Sequence, residues 1–155
     1  EHHYKDIGVF MAITQAVCNS FKKQLLEGAH DLRTGQDTIK IALYQSSATL
    51  DSTTTAYTAT GEASGTNYTA GGQDLTNVDP ILSGTAGVAD FADEVFTGVT
   101  ITVRGALLYN STPTHTYTNP SLIVLDFGTD ISAIAGDLTI QFPTQDSTNG
   151  IIRLT

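Results

Sequence analysis

The chain is 155 residues long, which suits one cored domain, and it sets 7 Lys and Arg against 16 Asp and Glu for a formal charge of -9. No stretch gathers basic residues into a stripe able to neutralise phosphates, so nucleic acid is not an expected partner. No apolar run reaches the ~18 residues that a membrane-spanning helix needs, and a single cysteine, Cys18, excludes an internal disulfide framework and a cysteine-based zinc cluster.

Threonine fills 25 positions and glycine 14, while only 15% of residues are charged, a profile of many short strands and turns. Residues 1–10 are charged and His-rich and give way to Met11-Ala12-Ile13, which reads as a natural start. They are taken as a leader, a tag remnant or an extended arm, and residues 11–155 as the domain. They show no cationic start or apolar middle of a signal peptide, so a soluble protein is expected. Ile13, Val17, Phe21 and Leu25 recur every four positions and predict an amphipathic helix over 13–27. Gly28 sits where a left-handed terminating residue is expected.

Ile39, Ile41 and Leu43 alternate with Lys40, Ala42 and Tyr44, the pattern of a half-buried strand. Residues 45–72 are then rich in Ser, Thr, Ala and Gly and are read as a long excursion with two edge strands, near 56–62 and 68–75. Val88 to Phe91 and Val95 to Phe96 are short apolar pieces. Val99 to Tyr109 reads as a long strand that starts half-exposed and ends covered on both faces. Asn110 to Pro120 is a turn-rich connection, and Leu122 to Phe127 is an apolar run stopping at Gly128 that pairs antiparallel with the preceding strand. Leu138 to Phe142 and Ile151 to Leu154 complete the set, separated by Pro143 and the turn pair Asn149-Gly150. The expected fold is mainly β, an antiparallel β-sandwich (jelly-roll or Ig-like) of about eight strands with one N-terminal amphipathic helix.

Candidate chemistry is sparse. Cys18 is expected to be a small buried hydrophobe, and His30 and His115 share no ligand spacing and sit in turn contexts. Asp90, Asp93 and Glu94 lack the pattern of a calcium loop and are read as a solvated face. Asp126 and Asp130 are a weak glycosidase-type pair. Asn67-Tyr68-Thr69 and Asn110-Ser111-Thr112 match the glycosylation acceptor pattern. No catalytic residue, metal or cofactor is assigned, and the protein is not expected to be an enzyme.

Four stretches taken in order carry a resemblance: Ile41-Ala-Leu-Tyr-Gln-Ser-Ser-Ala-Thr-Leu50, Gly61-Glu-Ala-Ser-Gly-Thr-Asn-Tyr-Thr-Ala-Gly-Gly72, Val103-Arg-Gly-Ala-Leu-Leu-Tyr-Asn110 and Leu125-Asp-Phe-Gly128. With the Met11 start and helix, the chain resembles a family of small virion structural proteins of tailed bacteriophages. The resemblance implies a capsid decoration or cement protein on the shell exterior, with the major capsid protein and copies of itself as partners. A tail, neck or baseplate component is the first alternative, and a carbohydrate-binding module the second. A wet shell interface would use the Thr-rich excursion, with Tyr57 and Tyr68 as contact anchors or, equally, as cover for the domain's own core. Asn67, His115 and Tyr117 are further contact candidates.

Overall fold

The computed structural model describes residues 12–155, so the expectations for residues 1–10 lie outside the described residues. In chain order the elements are β1 (Ala16–Val17), α1 (Asn19–Leu26), β2 (Ile39–Tyr44), β3 (Gln73–Asp74), β4 (Asn77–Ser83), β5 (Ala86–Phe91), β6 (Glu94–Asn110), β7 (Ser121–Ile140) and β8 (Ile152–Leu154). The chain is mainly β, with two antiparallel sheets ordered β1-β7-β6-β2-β3 and β4-β5-β8.

The apolar runs of the second half form the centre. Leu107 pairs with Val124 and Leu108 with Ile123 between β6 and β7, and Leu107 also lies opposite Ala42 of β2. All of these side chains are buried. The β6–β7 pairing is the expected antiparallel one, but β7 runs on through Gly128 to Ile140 where two separate runs were predicted. Glycine at φ +79° lets the strand bend there without ending, and the ladder absorbs the change through register shifts after Val103. Likewise β6 is one strand from Glu94 onward, and its short apolar pieces are joined through Gly98 at φ +60°.

The N-terminal helix is shorter than predicted. It covers Asn19–Leu26, with Cys18 as its extended N-cap residue and Glu27 and then Gly28, at φ +73°, ending it. Ile13 instead bridges Leu50 in parallel, and Ala16 and Val17 pair with Val124 and Ile123. The four-residue spacing therefore continues across a change of structure. Its β-branched members Ile13 and Val17 lie on extended backbone, which suits their stiff side chains.

The expected strand near 56–62 is absent among the described residues, and the one near 68–75 is reduced to the two-residue edge strand β3. The rest of the segment carries isolated bridges, Ala56 to Pro120, Glu62 to Tyr44 and Thr66 to Thr100. This segment bonds to β2 along the edge that β6 leaves open, and Ala42 and Tyr44 are as buried as Ile41 and Leu43, so β2 is covered on both faces where one was expected. At the turn out of the excursion, Gly72 (φ +80°) approaches β2 so closely that a β-carbon there would overlap the Ile41 carbonyl oxygen. Strand β4 was not foreseen. Its central residues Asp79 to Leu82 are exposed, and Pro80 suits its place at a sheet edge.

Candidate functional site

The sequence-predicted contact residues separate into two clusters. In the excursion, Glu62 is the hub. Its Oε1 accepts from the Tyr57 hydroxyl at 2.5 Å, and its Oε2 accepts from the Tyr68 hydroxyl at 2.6 Å and from the Gly71 N–H at 2.7 Å. Tyr68 Oη in turn accepts the Leu43 N–H at 2.9 Å, tying the excursion to β2. The Tyr57 ring lies 4.9 Å from that of Tyr109, whose hydroxyl donates to the Gly71 carbonyl, and the Tyr44 hydroxyl donates to the Thr58 carbonyl.

Tyr57 and Tyr68 are thus half-buried and turned onto the core, not projecting anchors; the aromatic body covers apolar surface while the hydroxyl is held. Burial, reinforced by the Glu62 carboxylate, pushes Tyr44, Tyr57 and Tyr68 well above the ordinary tyrosine range and Tyr109 up to about 12. What the excursion offers outward is small and polar: Thr53, Thr55, Thr60, Ser64, Thr66, Asn67 and Thr69 are exposed. Asn67 takes φ +62° at its turn and donates from Nδ2 to the Gly98 carbonyl at 2.9 Å.

His115 and Tyr117 form the second cluster, on the connection after β6. His115 Nε2 donates to the Glu27 carbonyl at 2.8 Å, and the Tyr117 hydroxyl donates to Glu27 Oε1 at 2.5 Å while Lys23 Nζ binds Oε2 at 2.5 Å. Both residues therefore close the C-terminal end of α1, where orphan carbonyls need donors. The two clusters meet along the backbone, since Tyr57 N–H donates to the Asn119 carbonyl.

The remaining candidates are placed as follows. His30 is buried, contrary to its turn-like sequence context: Nε2 donates to Gln24 Oε1 at 2.8 Å, Nδ1 accepts from Asn110 Nδ2 at 3.0 Å, and the ring meets Phe21 edge-on. Burial lowers its pKa to about 4, against a smaller opposing pull from Asp37. Asp90 is also buried, not part of a solvated face; it accepts the Phe91 N–H, and desolvation raises its pKa. Cys18 is fully buried as expected, and burial pushes its thiol up, away from nucleophilic use. Asp126 caps the Gly128 N–H and Asp130 pairs with Arg104, so each has a structural partner. Asn110 is fully buried, which excludes it as a glycosylation acceptor in the folded chain. Among the described residues no group of three or more His, Cys, Asp or Glu is placed to hold a metal ion.

Sequence reasoning missed one feature, a cleft separating α1 and residues 30–33 from the smaller sheet. Its two joined parts, of about 360 and 600 Å³, share Leu25, Ile152 and Leu154. The exposed Leu26, in the predicted helix, was the signal that could have pointed to it. Comparison with protein-family models, with curated proteins and with solved structures finds no match to this chain.

Proposed function

We propose that the chain is a non-enzymatic structural protein of a tailed-phage virion, a capsid decoration or cement protein that bridges neighbouring major capsid subunits on the shell exterior. In this reading the two antiparallel sheets are the halves of a β-sandwich of the jelly-roll or Ig-like kind. The reading rests on the resemblance of the four sequence stretches and on one structural observation, the pinned excursion. Residues 45–72 are held to the sheet through backbone bonds from Ala63 to Leu43 and between Thr66 and Thr100, and through the Glu62 hub, whose Tyr68 accepts the Leu43 N–H. The exposed threonines are therefore displayed on a fixed frame. A shell contact of hydroxyls and amides tolerates bridging water, and a rigid frame loses little entropy on docking.

The test is the copy number of the chain in purified particles, set against the major capsid protein and against separated tails. Near-equimolar abundance with the capsid protein is the expected result. A dozen or fewer copies, or copies following the tails, would replace this reading with a tail, neck or baseplate component. If particles form the predicted contact, replacing Thr60 and Thr66 with Arg lowers occupancy without changing the fold, because both side chains are exposed.

A further inference from the structure

We propose that the cleft between α1 and β8 is a docking groove for an extended segment of a partner protein in which acidic residues alternate with apolar ones, the segment adding to β8 as a strand. Three independent observations converge there.

The first is apolar surface. Leu25, Leu26, Ile152 and Leu154 line the cleft, and Leu26 and Leu154 are 92% and 63% exposed. Apolar surface of this kind on facing walls marks a site that something covers. The second is backbone. β8 is the edge of its sheet, bonded to β5 on one side only, and its outer edge has no backbone partner among the described residues. A free edge accepts an extended chain by main-chain hydrogen bonds.

The third observation is charge, and it selects the occupant. Lys23, Arg33, Lys40 and Arg104 each form an ion pair with a carboxylate. The two other described cations, Lys22 and Arg153, form none among the described residues, and both line this cleft. Arg153 Nη1 donates only to the Ser147 carbonyl, and Asp146 feels it as the weakest of the influences on that carboxyl. In a chain of net charge -9, two uncommitted cations on one apolar groove favour a partner carrying carboxylates. A second copy of this acidic chain is disfavoured on the same ground.

The strand pattern sets the register. Along β8 the apolar residues Ile152 and Leu154 alternate with the charged Arg153. An added strand copies that alternation, so its apolar residues lie beside Ile152 and Leu154 and a carboxylate lies across from Arg153. At the far end of the cleft Asp31 and Asp79 stand with Arg33, which is already paired. The acidic residues of the segment therefore belong at the Lys22 and Arg153 end. The inference needs only the groove and is independent of the proposed virion role.

The experiment titrates the full chain with a labelled octapeptide alternating Val and Glu, blocked at both ends, and follows anisotropy and backbone amide shifts at low and moderate salt. Saturable binding is expected, with shifts at Ile152 to Leu154 and weakening in salt. The K22E/R153E double variant, which alters exposed side chains only, is expected to lose about tenfold in affinity and to prefer the same peptide with Lys in place of Glu. Leu154→Asp is expected to abolish binding while leaving the circular dichroism unchanged. Equal affinity for the Glu and Lys peptides, or binding indifferent to K22E/R153E, would overturn the proposal. So would a tenfold gain in peptide affinity on removing residues 1–11, which would give the groove to the chain's own N-terminal residues. Self-association of the chain abolished by Leu154→Asp would give it to a second copy, with the same consequence.

Discussion

The Tyr68 hydroxyl donates to Glu62 Oε2 at 2.6 Å while its oxygen accepts the Leu43 N–H, so one side chain joins the excursion's carboxylate to the ladder edge of β2. Glu62 also holds Tyr57 and the Gly71 N–H. Charge-assisted bonds of this kind are individually strong but not additive, so Glu62→Ala is expected to lose about 3 kcal/mol in urea unfolding. Glu62→Gln keeps acceptor geometry on one oxygen and should lose less. Amide exchange in residues 53–72 should accelerate more than in β6 and β7; uniform acceleration would show that the excursion is not locked by this carboxylate.

The four tyrosines around that hub give the protein an alkaline limit. Each has a folded pKa raised above the ordinary value near 10, so below pH ~10 both folded and unfolded chains hold the proton and stability is unaffected. Above it the unfolded chain ionises first, and stability falls by up to about 1.4 kcal/mol per pH unit for each tyrosine. The share of the 295 nm absorbance that belongs to these four of the chain's six tyrosines should rise together with loss of the near-ultraviolet dichroism, not ahead of it. Smooth ionisation in a chain that stays folded would contradict the buried placement.

His30 acts at the opposite end of the scale. Its folded pKa is depressed to about 4, so as pH falls through the ordinary histidine range the unfolded chain takes up a proton that the folded chain refuses. Stability is then lost between pH ~6.5 and ~4, by about 2–3 kcal/mol. His30→Gln removes that proton-linked part, and its stability should fall less steeply across the same range. Parallel pH profiles for the two proteins would refute the assignment.

Gly72 and Gly28 both take positive φ, yet their surroundings differ. A β-carbon at Gly72 would overlap the Ile41 carbonyl oxygen, whereas at Gly28 nothing lies within 4 Å. Gly28→Ala is expected to cost about 1 kcal/mol, the penalty of left-handed backbone alone. Gly72→Ala must also push the excursion off β2 and should cost at least about 3 kcal/mol. Similar melting temperatures for the two variants would show that the close approach at Gly72 is not needed.

Much of the sheet was legible because its signal is local. Ile39 to Tyr44 and Leu122 to Phe127 are apolar runs bounded by turn residues, and both are strands where expected. The helix start was not legible, because Ile13 and Val17 keep a helical spacing while Leu50 and β7 claim their backbone. The tyrosines of the excursion mislead in the same way. Tyr57 and Tyr68 stand among small polar residues in sequence, but they turn inward because Glu62, Leu43 and Tyr109 lie there.

Composition and periodicity determined that the chain would be mainly β, acidic, with one N-terminal helix and a central pair of apolar strands, since these follow from each residue's own preference and its nearest neighbours. Tertiary structure alone decided that His30 and Asp90 are buried, that one carboxylate gathers two tyrosines, and that Lys22 and Arg153 border one apolar cleft. Those relations join residues far apart in the chain. Which distant groups meet depends on strand register and on how the loops close over the sheets, and neither leaves a mark in the local spacing of residues.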